Sequence, residues 1–304
     1  MYAVITGSGS ALPDPQRGSA GAAVVVDGTI LQFDCGSRTM ENLMLAGINP
    51  AEVDYIVLTH LHHDHVASYD YFVMTSWIAG RRNPFRVFGP KGTVDMSDKA
   101  LNGKMALHVS YSEKRGRGKP PVEVKDIGPG IVVEEKDFKV TATEVPHWGE
   151  TEGTTTLGYR IDSPYGSVVI SGDTGPSQNI VDLAQGADLL VHECCQPDAG
   201  MQVGGEFSKV RKENEHIDLG SPGRGHTSPS ELGFVAQKAR VKKLVATHLP
   251  PYMSVDAAVE MSSKYYGPRQ PRGIWTELIS AVKKYYDGSF VVGEDAMVIE
   301  IGKP

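Results

Sequence analysis

Four histidines and an aspartate fall within six positions of one stretch, His60-Leu61-His62-His63-Asp64-His65. Imidazoles and carboxylates together suit a borderline cation such as Zn²⁺, which takes nitrogen and oxygen donors and keeps an open position when it is catalytic. Upstream, "VDYIVLT" reads as a buried strand, and downstream Val66, Tyr69, Phe72, Val73 and Trp77 recur at helical spacing. The donors therefore sit on a strand-to-helix turn, where a rigid scaffold presents several side chains to one point. His60 and His62 can point one way and Asp64 and His65 another, so one tight turn can serve two ions.

A second ion needs more donors, and three isolated residues at strand ends supply candidates. They are His147 after "FKVTATEVP", Asp173 in "VVISGDTGPS" and His248 in "KKLVATHLPP". Alone, each such histidine reads better as an ordinary satisfied side chain.

The elements that must position these groups follow from the apolar pattern. Short runs rich in β-branched residues, such as "AAVVVDGTILQFD", "FRVFG" and "GSVVIS", are bounded by Gly, Pro or Asp turn signals and read as strands. After residue 170 helical and strand patterns alternate, helices run across 255 to 286, and "SFVVGEDAMVIEIG" reads as a hairpin. Strands first, then strands mixed with helices, predicts two sheets packed face to face with helices outside. Two segments resist assignment: residues 112 to 130, basic and rich in Gly and Pro, read as a solvated loop, and residues 196 to 225 read as a lid or an oligomer arm.

Composition sets looser bounds. The chain has 304 residues, 40% hydrophobic and 22% charged, which fits a globular protein with a sizeable core. A net charge of -7 argues weakly against nucleic acid or an anionic membrane as partner. The start, "YAVITGSGS", has no signal-peptide pattern, and no apolar run approaches the ~18 residues of a spanning helix, so a cytoplasmic protein is expected. Three cysteines, Cys35, Cys194 and Cys195, cannot build a disulfide framework and read as buried reduced thiols.

On "HLHHDH", His147, "SGDTG" and "THLPP", taken in order, the sequence resembles the metallo-β-lactamase fold superfamily. The resemblance implies an α/β (α+β) fold, a four-layer αββα sandwich of two mixed sheets, spanning 1–304 as one domain with the segment at about 196–225 inserted. It implies one zinc on His60, His62 and His147, a second on Asp64, His65 and His248, and Asp173 bridging them; Mn²⁺ or Fe²⁺ stays open. Two such metals would hold a bridging hydroxide for hydrolysis. Asp34 in "LQFDCG" is expected to support a ligand histidine from behind.

Further matches, "GSGSALPDPQRGSAGA", "FDCGSRT", "ADLLVHE", "GHTSPSELGFVAQKARVKKLVATH" and "DAMVIEI", are similar to the ribonuclease Z and arylsulfatase-like branch. In that branch the "GHTS" histidine, here His226, protonates the leaving oxygen and the "HE" glutamate, here Glu193, orients it; with Asp64 these are the expected catalytic residues. His192 reads as structural, and His63 as facing solvent or the substrate mouth. A homodimer is also implied.

Departures bear on the substrate. The Gly- and Pro-rich arm that grips tRNA in ribonuclease Z lies between the third histidine motif and the bridging aspartate, yet only 25 residues separate His147 from Asp173 here, and strands fill them. Tyr69, Trp77 and Trp148 are candidate walls of an apolar pocket over the metals. The expectation is a dizinc hydrolase of a small ester-like molecule, whether phosphodiester, sulfate ester or lactone. The alternatives are a tRNA 3′ processing endonuclease and a non-catalytic metal-binding scaffold.

Overall fold

The computed structural model describes residues 1–147, 155–198, 217–219, 225–251, 254–266 and 274–302. Fourteen strands occur among them: β1 Tyr2–Gly7, β2 Gly21–Val26, β3 Thr29–Phe33, β4 Tyr55–Val57, β5 Phe85–Gly89, β6 Val122–Asp126, β7 Gly130–Glu134, β8 Lys139–Val145, β9 Thr156–Ser163, β10 Gly166–Ile170, β11 Leu189–Glu193, β12 Lys243–Thr247, β13 Ser289–Val292 and β14 Val298–Glu300. They form two seven-stranded sheets, ordered β14-β1-β2-β3-β4-β5-β6 and β13-β12-β11-β10-β9-β8-β7.

The period-2 alternation of strand side chains assigns each sheet two buried faces. Ala3, Ile5, Leu31, Phe33, Tyr55 and Val57 of the first sheet meet Val140, Tyr159, Ile161, Val168, Leu189 and Val191 of the second in one apolar layer. Their neighbours Val4, Val25, Ile30 and Ile56 point the other way, against Leu43, Tyr69, Phe72 and Trp77 from helices. Val169, Leu190 and Leu244 likewise face the helices Gln178–Leu183, Pro229–Ala239 and Ile274–Lys283. Helix, sheet, sheet, helix is the four-layer arrangement expected, because strands apolar on both faces must be covered on both.

Local chemistry explains the joints. Asp27 and Gly28 both take positive φ, 46° and 84°, and close β2 onto β3 as an Asp-Gly hairpin. Strands β3, β4, β5 and β6 run parallel, as do β10, β11, β12 and β13, so their carboxyl ends line up along common edges.

Two local expectations are corrected. The C-terminal "SFVVGEDAMVIEIG" is not a hairpin: β13 pairs parallel with β12 in one sheet while β14 pairs antiparallel with β1 in the other. The link between them is held instead by contacts that tie both sheets to the N-terminal loop: Arg17 Nη1 donates to the Gly293 carbonyl at 2.6 Å, and Asp295 accepts from Gly18 N at 2.7 Å and Ser8 N at 3.0 Å. Nor is 112 to 130 all loop, since a helix runs through Lys114 and Val122–Asp126 adds an edge strand beside β5. No helix among the described residues is long and apolar enough to cross a membrane.

Candidate metal centre

The site is built on strand exits. β4 ends at Val57, and Leu58 and Thr59 carry the chain out to His60; the turn then closes into a short helix, His63–Val66. β3 exits at Asp34, which sits in left-handed backbone at φ 56°, as does His248 after β12. Such conformations cost about 1 kcal/mol or more in a non-glycine residue and gather where a fold places functional groups. Asp173 follows Gly172, whose φ is 61° and where a Cβ would meet the Leu157 carbonyl at 2.9 Å and the Thr59 Cβ at 3.0 Å. Only glycine lets the chain bend that closely behind the aspartate.

Asp34 organises the turn from behind. Its Oδ2 accepts from the His65 Nδ1 at 2.8 Å, and its two oxygens accept the Thr59 amide at 2.8 Å and hydroxyl at 2.9 Å. Bonding Nδ1 to a carboxylate turns Nε2 of His65 into the site, the usual way a ligand imidazole is oriented. Nε2 then lies 3.3 Å from Asp173 Oδ1 and 3.5 Å from Asp64 Oδ2. His248 Nε2 lies 3.1 Å from Asp64 Oδ2 and 3.2 Å from Asp173 Oδ2.

Two donor sets result. His60, His62 and His147 offer ligand atoms within 4.8 Å of one another, and so do Asp64, His65, Asp173 and His248. Asp173 also approaches the first set, with Oδ2 at 3.9 Å from Nε2 of both His60 and His147. His147 is steered by a 2.6 Å bond from Nδ1 to the Gly225 carbonyl and comes within 3.2 Å of His62 Nδ1.

Electrostatics separates the sets. Burial keeps His60 well below its ordinary pKa and takes His147 down to about 4, so both present lone pairs at neutral pH. Burial would raise the carboxyls of Asp64 and Asp173, but His65 and His248 hold both well below the usual range. The buried Nε2 atoms of His60 and His65 have no hydrogen-bond partner. Buried polar atoms are seldom left so, and imidazole nitrogens converging with carboxylates are the donor set of a divalent cation. The residues therefore fit two ions.

Beside the sets stands a histidine–carboxylate pair. Ser228 caps the helix Pro229–Ala239 through a capping box with Glu231, and this fixes the preceding His226 and Thr227. His226 Nδ1 donates to Glu193 Oε1 at 3.0 Å, and Glu193 is itself held by the amides of Thr174, Thr227 and Cys195. The His226 ring lies 5.0 Å from that of His147 and 5.6 Å from that of His248, at the join of the two sets.

Other expectations fare differently. Tyr69 and Trp77 do not wall a pocket: both are buried in the layer between the first sheet and its helices, and the Tyr69 hydroxyl bonds Ser97 Oγ at 2.6 Å. Aromatics at helical spacing on a sheet-covering helix pack inward because burying their area dominates. Trp148, His216 and residues 199–216 and 220–224 of the expected lid or arm lie outside the described residues. His192 is buried with Nδ1 bonded to the Glu193 carbonyl at 2.7 Å, and His63 is exposed with Nε2 3.3 Å from the Ala11 carbonyl. His108 is exposed against Trp77, at a ring distance of 6.3 Å. Sequence reasoning missed Cys195, which lies among these histidines; its only signal is its place two residues beyond Glu193.

Two facing sheets that present His and Asp from their strand exits define a class of metal-dependent hydrolase. The model of the Metallo-beta-lactamase superfamily matches residues 18–230, and the chain belongs to that superfamily. Among its relatives, a ribonuclease Z of Mycobacterium bovis is 29% identical over 257 residues, covering 81% of this chain and 85% of that one. A ribonuclease Z of Methanothermobacter thermautotrophicus is 26% identical over 334 residues, covering 95% and 99%. In fold the chain is similar to the metallo-beta-lactamase fold protein YhfI of Bacillus subtilis, with a TM-score of 0.68 at 17% identity over 98% of this chain and 99% of that one. It is also similar to the short form of human tRNase Z, with a TM-score of 0.64 at 20% identity over 100% of each. The relatives favour the ribonuclease Z alternative over the small-ester reading that the sequence departures suggest.

Proposed function

We propose that the protein is a divalent-metal-dependent phosphodiesterase of the ribonuclease Z kind, cutting RNA near a 3′ end, with zinc as the metal. The observation that carries the reading is the Glu193–His226 pair at the join of two donor sets. His60, His62 and His147 would hold one ion, Asp64, His65 and His248 the other, with Asp173 between them. Bound there, the ions would supply Lewis-acid stabilisation of a phosphoryl group and a nucleophile at neutral pH.

The chain's own residues do the rest. Nδ1 of His226 is bonded to Glu193, so Nε2 is the atom that would carry a proton toward the leaving oxygen. Burial works against its charge, but Glu193, Cys195 and Asp173 together outweigh burial and bring its pKa up to about 9, so the ring is protonated at neutral pH. Cations bound beside it would pull that value back toward neutrality, where a general acid works best.

One observation favours a second reading, a small phosphodiester as substrate. β9 and β10 fill most of the span from His147 to Asp173, where the resemblance places the tRNA-gripping arm. The basic side chains of 114 to 119 offer no replacement, because that segment enters β6 at its amino end while the site lies at the carboxyl ends of β3 and β4.

Zinc-loaded protein incubated with a 3′-extended precursor tRNA, and separately with bis(4-nitrophenyl) phosphate, decides between them. Cutting at the tRNA 3′ side supports the first reading, turnover of the small diester alone supports the second, and neither product sinks both. His226→Ala should lower the rate on a diester with a poor alkoxide leaving group by about 10² to 10⁴. The same change should barely affect release of 4-nitrophenolate, which needs no proton; an equal loss on both would remove His226 from the acid role.

A further inference from the structure

Cys194 and Cys195 are neighbours in sequence with opposite surroundings. Cys194 packs in the apolar layer under the second sheet, where burial pushes its thiol well above the ordinary range. Cys195 belongs to none of the three apolar clusters. It leaves β11 two residues after Glu193, donates its amide to Glu193 Oε2 at 2.8 Å, and is buried with its side chain beside His226 and His248. One ligand atom from each of Cys195, His226 and His248 lies within 4.8 Å of the other two. In addition, Nδ1 of His248 is buried, and the His248 ring is within hydrogen-bonding reach of the Cys195 thiol.

A thiolate and two imidazoles form a softer donor set than any that carboxylates contribute to, and soft ligands select thiophilic cations. Donor atoms of a tetrahedral site with ordinary Zn–S and Zn–N lengths stand about 3.5 Å apart, so the trio closes on an ion with side-chain adjustments of about an ångström. We propose that Cys195, His226 and His248 form a seat for a thiophilic divalent cation, such as Cd²⁺ or surplus Zn²⁺, whose occupation shuts the enzyme off. On binding, the Cys195 sulfur and His226 Nε2 each form a bond to the cation and lose any proton they carry to solvent. His226 then has no nitrogen left for a leaving group, since Nδ1 stays with Glu193, and His248 is drawn away from Asp64 and Asp173. The binding shares His248 with the second donor set, and the inhibition rests on the proposed role of His226.

Cadmium titrated into the zinc-loaded protein tests the seat through the ultraviolet sulfur-to-cadmium charge-transfer band. The band should rise in the wild type and in Cys194→Ser, and be absent from Cys195→Ser and Cys195→Ala. Absence of the band from the wild type, or a band of equal strength without Cys195, overturns the proposal. X-ray absorption at the cadmium edge of the unmutated protein keeps it falsifiable if the variants misfold: one sulfur with nitrogen neighbours supports the trio, and a shell without sulfur overturns it. Phosphodiester turnover followed in parallel should need at least tenfold more cadmium for half-inhibition in Cys195→Ser than in the wild type; equal sensitivity overturns the inhibitory half. A sulfur band in a protein that cleaves no phosphodiester would leave the seat standing and sink the functional reading instead.

Discussion

Residues 58 to 66 and 69 to 78 are close neighbours in the chain and largely buried, yet they do opposite things. In the first segment His60, Asp64 and His65 lie buried, and the Nε2 atoms of His60 and His65 have no hydrogen-bond partner. In the second, Tyr69, Phe72, Val73 and Trp77 are buried against Leu43, Ile56, Phe85 and Val109. Burial is common to both segments; what separates them is satisfaction. Apolar groups are satisfied by contact alone, whereas the buried Nε2 atoms of His60 and His65 still need a partner, and a bound ion would supply it.

Asp64→Ala should therefore produce the largest effect. It removes a carboxylate that both His65 and His248 face, and turnover should fall about 10³-fold or more, given several kcal/mol of stabilisation from the metals at about 1.36 kcal/mol per tenfold. The rise in melting temperature on adding zinc to chelated protein should shrink as well, since that rise measures ion binding. An unchanged rise would show that Asp64 holds no ion. Asp34→Asn reaches the same ions indirectly, through Nδ1 of His65, and should weaken metal affinity or activity about 10- to 100-fold. Competition with a chelator measures the first directly; full affinity in that variant would reduce Asp34 to a turn residue.

Trp77→Ala sharpens the contrast from the other side. Removing a buried indole should cost about 3 to 5 kcal/mol of folding stability by denaturant titration. Zinc content and turnover per folded molecule should stay at wild-type values, and a selective rise in KM would return Trp77 to the substrate pocket.

The same contrast explains what could be read from sequence. Asp34, His60, His147, Asp173 and His248 are legible in the sequence as polar residues at the end of a short apolar run, because strand exits are where polar side chains are buried for a purpose, whereas His226 is legible only through the "GHTS" resemblance. The αββα layering was visible too, since runs such as "AAVVV" are apolar on both faces and demand cover on both. Periodicity does not say what an apolar face packs against, so Tyr69 and Trp77 were legible as a helix face but not as core. Nor does it say which sheet a strand joins: β13 and β14 look like a hairpin locally, and the contacts of Asp295 and Gly293 with residues nearly 280 positions earlier in the chain divide them. Cys195 was invisible because a thiol at a strand end has the same sequence context whether it faces an apolar layer, as Cys194 does, or a cluster of histidines.

Tyr69 provides the finest test of the division. Its hydroxyl bonds Ser97 Oγ at 2.6 Å, and both residues are buried, so the pair is a closed polar contact inside an apolar layer. Tyr69→Phe leaves the Ser97 hydroxyl without its partner and should cost about 1 to 2 kcal/mol, and Ser97→Ala should cost a similar amount by stranding the phenol. The double variant removes both ends together, so it should recover part of the loss and give a coupling energy of about 1 kcal/mol in a double-mutant cycle. None of the three should change kcat or KM if the helix 69–78 only packs. A Tyr69→Phe variant that alters KM while Ser97→Ala does not would place the phenol at the substrate and erase the boundary between the two segments.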